Sequence, residues 1–266
     1  MRPTLIRRTA TAAAVVSLAL LATACGGGEA QDADAATDNG GEKKGASTAP
    51  AAKALTATEL KKALLAQGDL ANHTIVDPGA GDVLDAEDIS VENTECEPIA
   101  NLTSNAPSGE PAAEGHRMVS SDAKRPSVEE LAEMTPEEQL ASGMDSMITA
   151  LSLYSYEDEA AGEAFAAIRT AAEKCAGGFA FTAADEDVTI SKVTEVKKES
   201  VSGGDEAAAW EVTLKEGGEE IPYKLVAVRQ GSTLATFASV DIRASVTGKD
   251  FGLPTALVKA QLDKLG

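Results

Sequence analysis

Hydrophobic positions divide the chain from residue 55 onwards into segments with helical and strand-like spacing. Thr56 and Glu59 form a capping box that predicts the start of a helix. Apolar residues spaced by three and four positions predict a longer helix over 161–175, and an amphipathic pattern predicts another over 254–265. These three helices lie before, between and after the segments with strand-like spacing.

Apolar residues in the other segments follow the spacing of β-strands. Residues 147–156 carry apolar side chains on both faces, which predicts a central or covered strand. From 188 to 242 apolar and polar positions alternate, and glycine-containing turns separate successive runs. Short connections of this kind join antiparallel strands. The pattern predicts an α+β fold, with an antiparallel meander sheet and helices packed on one face.

The segment from about 105 to 142 interrupts this alternation. It is acidic and proline-containing, and capping boxes that begin at Ser127 and Thr135 predict short surface helices. We therefore predict that this segment is an excursion over the surface of a single domain, which spans 55–266.

The N-terminus has the pattern of an export signal. Three arginines precede an apolar run of roughly 13 residues, which is too short for a membrane-spanning helix. The run ends in Leu21-Ala22-Thr23-Ala24-Cys25, which resembles the lipobox of bacterial lipoproteins, although that family prefers leucine one position nearer the cysteine. The resemblance implies a signal peptide at 1–24, a lipid on Cys25 and a location on the outer face of the cell membrane. An ordinary secretory signal with an incidental cysteine is the alternative.

Residues 25–54 have the composition of a flexible tether. From 26 to 54 the chain has no Val, Ile, Leu, Met, Phe, Trp or Tyr, so this segment cannot build a core. A glycine-rich coil of this length has a root-mean-square reach of roughly 30 Å. We expect the tether to hold the folded domain away from the bilayer.

The chain is strongly acidic, with 43 acidic and 23 basic residues and a formal net charge of −20. Nucleic acid is therefore excluded as a partner, because its phosphates require lysine and arginine. Anionic lipid headgroups are repelled as well, so membrane attachment is expected through the lipid on Cys25.

The chain contains three cysteines. If Cys25 is lipidated, Cys96 and Cys175 remain as a pair, and export to an oxidising compartment favours a disulfide between them. A zinc or redox site is the alternative, but C-x-x-C spacing and a neighbouring histidine are both missing from the sequence around these cysteines. No cofactor is expected.

Candidate catalytic groups are few. His73 and His116 occur in polar, loop-like sequence and are interpreted as solvated surface residues. Ser121 and Lys124 match the S-x-x-K motif, which places its serine at the start of a helix so that the lysine lies one turn away. Pro126 would end such a helix, and the companion motifs S-D-N and K-T-G do not occur. We interpret the match as coincidental.

Two acidic runs, 157–159 and 185–187, could supply carboxylates for acid catalysis or a metal ion. Consecutive side chains point in different directions, and the first run precedes a predicted helix, where acids favour the helix dipole. We interpret both runs as solvated faces or caps and predict a protein without catalytic residues.

One set of positions between 55 and 242 is shared with a known family. These positions are Leu55, Glu59, Leu60, Leu64, Leu65, Asp69, Leu70, Cys96, Tyr156, Phe165, Cys175, 226–231 and Leu234. They resemble PknH-like extracellular sensor domains of actinobacteria and the lipoproteins that share this module. The resemblance implies an antiparallel sheet with packed helices and a cleft for an extracellular ligand. The chain departs from the family in having one cysteine pair where two disulfides are common, and in having Ala71 where proline is usual.

The sequence thus predicts a lipid-anchored, non-catalytic cell-surface protein. Its sensor-like domain is expected to bind a small molecule, glycan or lipid in a cleft beside the sheet. An interaction module that contacts other envelope proteins, without a small-molecule site, is the alternative. A hydrolase that uses Ser121 is the third hypothesis.

Overall fold

The computed structural model describes residues 53–122, 126–142, 147–196, 201–216, 218–248 and 250–266. The predicted signal peptide, Cys25 and the tether up to residue 52 lie outside the described residues, as does Lys124.

The described residues form seven α-helices and nine β-strands. The helices are α1 (Ala57–Ala63), α2 (Glu97–Thr103), α3 (Val128–Glu133), α4 (Pro136–Ala141), α5 (Ala160–Lys174), α6 (Ile242–Thr247) and α7 (Thr255–Leu265). The strands are β1 (His73–Val76), β2 (Ile89–Val91), β3 (Ala113–Ser121), β4 (Met147–Ser155), β5 (Phe179–Ala183), β6 (Glu186–Val196), β7 (Glu206–Glu216), β8 (Glu219–Gln230) and β9 (Thr233–Asp241).

The described strands form one antiparallel sheet in the order β1-β3-β4-β9-β8-β7-β6-β5-β2. Strands β5 to β9 are sequential neighbours, as in a meander. Strand β4 pairs with β9 along its whole length and lies between β9 and β3, which is the central position predicted for it. The predicted α+β class and antiparallel sheet are confirmed.

Helices cover both faces of the sheet, whereas the sequence predicted them on one face. In β8, the side chains of Leu225 and Ala227 belong to a core that α2 and α5 complete. Those of Val226 and Val228 point to the opposite face, into a second core completed by α1 and α7. Successive side chains of a strand alternate between faces, so an uninterrupted apolar run requires cover on both.

Strand β3 corrects the prediction of a surface excursion over 105–142. It pairs with β4 from Ala113 to Ser120 and is therefore part of the sheet. Only Ala113 and Val119 of this strand are fully buried, so its sequence lacks the strong apolar alternation that reveals a strand. The short helices predicted in the rest of this segment are present as α3 and α4, each with its capping box.

Helices α1, α5 and α7 follow their sequence signals, whereas α2 and α6 were not predicted. At the start of α1, the Glu59 amide donates to Thr56 Oγ1 at 3.3 Å and the Thr56 amide donates to Glu59 Oε2 at 2.9 Å, which confirms the capping box. Helix α1 ends at Ala63, because Leu64 is already extended with ψ 145°. Helices α5 and α7 confirm the two longer predicted helices.

A disulfide joins Cys96 and Cys175, as predicted, with 5.8 Å between their Cα atoms. Cys96 immediately precedes α2 and Cys175 caps the end of α5. An ion pair between Lys174 and Glu95 lies beside it. The cystine therefore fixes the start of α2 to the end of α5.

Candidate functional site

A cleft of about 450 Å³ lies between α2, α5 and the loop 104–112, which connects α2 to β3. We call it the α2–α5 cleft. Its volume falls within the range of small-molecule sites, roughly 300 to 1,000 Å³. It is built on the face of the sheet that carries the cystine core.

Helix α5 contributes a wall of small side chains. Ala160, Ala164 and Ala167 are spaced by four and three residues and share one face of the helix, with Glu163 beside them. Alanine leaves space between two helices where a larger residue would fill it. The cleft exists because α5 places the methyl groups of alanines opposite α2, where longer apolar side chains would fill the space.

Helix α2 contributes Glu97, Pro98 and Asn101 to the opposite wall. The Asn101 side chain is only 3% exposed. Its Nδ2 donates to the carbonyl of Pro107 at 2.9 Å, but its Oδ1 has no hydrogen-bond partner among the described residues. Such a group is costly, because a buried acceptor without a donor loses about 1–3 kcal/mol of solvation.

Two tyrosines of the sheet region hold the loop 104–112 in place. Tyr156 lines the cleft, and its hydroxyl donates to the carbonyl of Ser108 at 2.7 Å. The Tyr154 hydroxyl donates to the carbonyl of Asn105 at 2.8 Å. Burial raises the pKa of both phenols well above the usual value near 10, so both remain donors throughout the physiological pH range.

Charge in the cleft is of one sign. The carboxylates of Glu97, Glu110 and Glu163 lie along it, each on an exposed residue and each without an ion pair among the described residues. Lysine, arginine and histidine are not found among the described residues that line it. The cleft therefore combines apolar walls with an acidic margin.

The two histidines lie on strands and not in loops, contrary to the sequence interpretation. His116 of β3 is half-buried, with Nδ1 2.9 Å from Ser152 Oγ and its ring edge-on to Tyr154. Burial lowers the pKa of His116, while Glu114, 3.9 Å away, opposes that shift. His73 belongs to edge strand β1. Neither histidine lines the α2–α5 cleft.

Ser121 is the last residue of β3 and not the first residue of a helix. Its hydroxyl accepts a hydrogen bond from the Met147 amide at 3.0 Å. The S-x-x-K arrangement requires a helix start at the serine, so the structure supports the interpretation of this match as coincidental.

A second cavity, of about 210 Å³, lies on the opposite face of the sheet, where β1, β3 and β4 meet the start of α7. His73, Ser121 and Thr149 are among its lining residues. The Thr149 hydroxyl is already bonded to that of Ser239 at 2.8 Å.

The acidic runs do not assemble a site. Residues 157–159 lead into α5 and end at its N-cap, Glu159. Residues 185–187 lie at the β5–β6 turn, where Ala184 and Asp185 have positive φ angles of 48° and 67°. Among the described residues, no group of three histidine, cysteine, aspartate or glutamate side chains is placed to hold a metal ion.

The chain is similar to the crystal structure of the extracellular domain of PknH from Mycobacterium tuberculosis, with 11% sequence identity and a TM-score of 0.43. The match covers 80% of this chain and 97% of the PknH domain. No protein-family model and no curated protein matches the chain. Because the identity and the TM-score are low, the resemblance to PknH-like sensor domains stays a prediction.

The described helices include none that is long and apolar enough to cross a membrane.

Sequence reasoning placed a cleft beside the sheet but did not find the residues that line it. Glu97 and Ala167 are far apart in the chain and meet only because α2 packs against α5. One local signal was available: Asn101 is a polar residue within the apolar run of Ile99, Ala100 and Leu102, all of which are buried. A polar residue inside a buried helix face points to a specific role.

Proposed function

We propose that this chain is a non-catalytic ligand-binding protein on the outer face of the cell membrane, attached through a lipid on Cys25. Its α2–α5 cleft binds a small molecule. The observation that carries this proposal is the cleft itself, a space of about 450 Å³ with apolar walls between α2 and α5.

The walls of the cleft are fixed before any ligand arrives. The cystine Cys96–Cys175 ties the helices together at one end, and the Tyr156 hydroxyl holds the loop through Ser108. Sites with preformed walls bind more tightly, because less conformational entropy is lost when the ligand enters. This supports a binding role.

The lining residues support a role without catalysis. Among the described residues, the cleft has no histidine, lysine or cysteine to act as a base or a strong nucleophile. The carboxylates of Glu97, Glu110 and Glu163 are exposed, and the described lining residues include no histidine that could activate the hydroxyl of Ser108.

The location of the protein is argued from the N-terminal sequence and the cystine. An arginine-containing, apolar segment that ends at Cys25 has the pattern of a lipoprotein export signal. A structural disulfide such as Cys96–Cys175 is stable in an oxidising, extracytoplasmic compartment.

A cleft-filling variant tests the binding role. Ala167→Leu places a larger side chain in the cleft, and Ala166→Leu makes the same change at an exposed neighbour on α5 that does not line it. The chain is purified from the envelope of cells that export it, and the small molecules it releases on denaturation are identified by mass spectrometry. We expect a specific molecule from the wild type and Ala166→Leu, and its loss from Ala167→Leu.

Equal recovery from both variants would show that the cleft is not the binding site. No recovered molecule, together with an envelope protein crosslinked to the chain in intact cells, would favour the alternative of a protein-interaction module.

A further inference from the structure

Helices α3, α4 and α6 expose apolar side chains at one end of the sheet. Three of the four large apolar side chains that the described residues leave exposed lie on these helices. Val128 of α3 is 79% exposed, Leu140 of α4 is 72% exposed and Val246 of α6 is 54% exposed. Helix α4 packs against α6, so the last two side chains belong to neighbouring helices. Exposed apolar groups gathered in one place are typical of an interaction surface.

The connection that contains α3 and α4 is long for two neighbouring antiparallel strands. Strand β3 ends at Ser121 and β4 begins at Met147, whereas two residues join β8 to β9. A hairpin loop needs only about two to five residues, so the pairing of β3 with β4 does not require this length. Long connections with helices of their own commonly have a binding role.

The same connection is acidic. Residues 122–146 contain seven acidic and two basic residues, and five of the acids are glutamates of α3 and α4. Glu129 and Glu133 of α3 are exposed. Arg243, the basic residue of α6, has its Nε and Nη2 atoms buried. The surface therefore combines exposed apolar side chains with negative charge.

We propose that α3, α4 and α6 form a docking surface for a basic amphipathic segment of another protein. Apolar side chains of that segment contact Leu140 and Val246, and its lysine or arginine side chains lie against the glutamates of α3 and α4. Complementary charge of this kind selects the partner and orients it, while the apolar contacts supply affinity. The docking surface is separate from the α2–α5 cleft and does not depend on it.

The charge and composition of the chain disfavour other occupants of this surface. A second copy would bring the same acidic helices into contact, and like charges repel across an interface. The tether has no large apolar side chain from 26 to 54 with which to cover Leu140 and Val246. Anionic lipid headgroups are repelled by the glutamates.

The docking surface lies at the end of the sheet opposite to the start of the folded domain. The Leu55 amide donates to Ser155 Oγ at 2.8 Å, at the last residue of β4. Helix α6 instead follows Asp241, which pairs with Met147 at the first residue of β4. The nine residues of β4 span about 30 Å. A partner can therefore reach the surface without meeting the tether.

A set of matched peptides tests the chemistry of the partner. The basic amphipathic peptide KLAKLAKKLAKLAK is titrated into the purified full chain by isothermal calorimetry. One analogue has glutamate in place of every lysine, and another has serine in place of every leucine. We expect the basic amphipathic peptide to bind at least tenfold more tightly than either analogue, since only it offers both positive charge and apolar side chains.

Apolar variants locate the binding of this peptide. Leu140→Gln and Val246→Thr should each weaken it by about three- to tenfold, because an apolar contact is lost. Val76→Thr is the matched control, since Val76 is 51% exposed but lies on β1, outside the three helices. It should bind the peptide as the wild type does.

Charge variants separate the docking surface from the overall charge of the chain. Glu129→Gln and Glu133→Gln should each weaken binding of the basic peptide by about two- to fivefold. Glu173→Gln removes the same charge from an exposed residue of α5 and should have no effect. Equal weakening by all three variants would show that the net charge alone attracts the peptide, and would overturn the proposal.

The remaining outcomes also decide the occupant. No binding of the basic peptide at millimolar concentration, or equal weakening by Val76→Thr and Leu140→Gln, would contradict the proposal. A dimer in sedimentation that Leu140→Gln dissociates would assign the surface to a second copy. Retention on phosphatidylglycerol vesicles that Leu140→Gln abolishes would assign it to lipid. Ala167→Leu fills the α2–α5 cleft and should leave peptide binding unchanged, so the two proposals fail separately.

Discussion

Tyr154 and Tyr156 connect the sheet to the loop 104–112 through their hydroxyl groups. Each donates to a backbone carbonyl, of Asn105 and Ser108 respectively, and both rings are buried. A neutral phenol is required for this bond, so ionisation of either residue removes a donor and places a charge in the core. The pKa of each phenol is raised by burial for this reason.

We predict that the free energy of unfolding falls as the pH rises above about 10, where tyrosine ionises in the unfolded chain. Between that pH and the raised native pKa, the unfolded state binds fewer protons than the native state, so each buried tyrosine lowers stability by about 1.4 kcal/mol per pH unit. In Tyr156→Phe the free energy of unfolding should fall less steeply, by about 1.4 kcal/mol per pH unit, because one titrating phenol has been removed. Urea unfolding followed at a series of alkaline pH values measures it.

The same variant has a cost at neutral pH. Tyr156→Phe leaves the buried Ser108 carbonyl without its donor, and we expect the free energy of unfolding to fall by about 1–3 kcal/mol.

Lys224 also contributes to the fall in stability at alkaline pH. Burial lowers its pKa, but hydrogen bonds to Asp250 and Glu211 outweigh this effect and raise the pKa, so the stabilisation is lost as the lysine deprotonates. The Phe variant separates the tyrosine from the lysine, and an unchanged slope would contradict the assignment.

Residue-level predictions from sequence succeeded where the signal was local. Thr56 and Glu59 lie three positions apart, so their capping box is visible in the sequence and present in the structure. The surroundings of His116 depend on Ser152 and Tyr154, more than thirty residues away, and its half-buried position was missed. Nothing in the sequence around it reports this pairing of strands.

Among the elements, α2 and α5 are joined by a covalent bond as well as by packing. The cystine closes a chain separation of 79 residues between the start of α2 and the end of α5. Helix α2 is only seven residues long, and a helix of that length is not stable alone. Its orientation therefore depends on the cystine and on packing against α5.

We predict that replacing both Cys96 and Cys175 with serine destabilises the protein by about 4.5 kcal/mol in the chain-entropy description. The α2 wall should also become mobile, so that cleft ligands bind more weakly. Urea unfolding and calorimetric titration measure the two effects. A reducing agent should lower the stability of the wild type and leave the double variant unchanged, and wild-type affinity in that variant would show that the cystine does not shape the cleft.

Elements with strong periodicity were predictable, and those with weak periodicity were not. The stripe of α5 from Ala161 to Ile168 is buried along one face, as its spacing predicted. Strand β3 was missed because Gly115, His116 and Arg117 give no apolar alternation. The apolar run of β4 predicted a central or covered strand, but the sequence predicted helices on one face of the sheet only, because the helix that covers each face is set by tertiary packing.

The whole molecule combines an acidic domain with a predicted anchor at Cys25. A net charge of −20 opposes direct contact between the domain and anionic lipids. Retention at the membrane is therefore assigned to the lipid alone in the proposed function.

We predict that Cys25→Ala moves the chain from the membrane fraction to the medium or leaves it as an unprocessed precursor. The lost attachment site is the reason, because a thiol is required for lipid modification. Fractionation followed by mass spectrometry of the N-terminus measures both outcomes, with Glu173→Gln, a change at an exposed residue of α5, as the membrane-retained control. An unmodified Cys25 in the wild-type protein would contradict the lipoprotein assignment.

The edge strands of the sheet affect how readily copies of the protein associate at high local concentration. Strands β1 and β2, with four and three residues, are the shortest described strands and occupy the two edges. An edge strand offers unpaired backbone groups to other chains, and a short one offers few. Copies of this domain crowded together therefore find few backbone groups on β1 and β2 themselves through which to pair, and the strongly apolar strands β4, β8 and β9 are kept in the middle of the sheet.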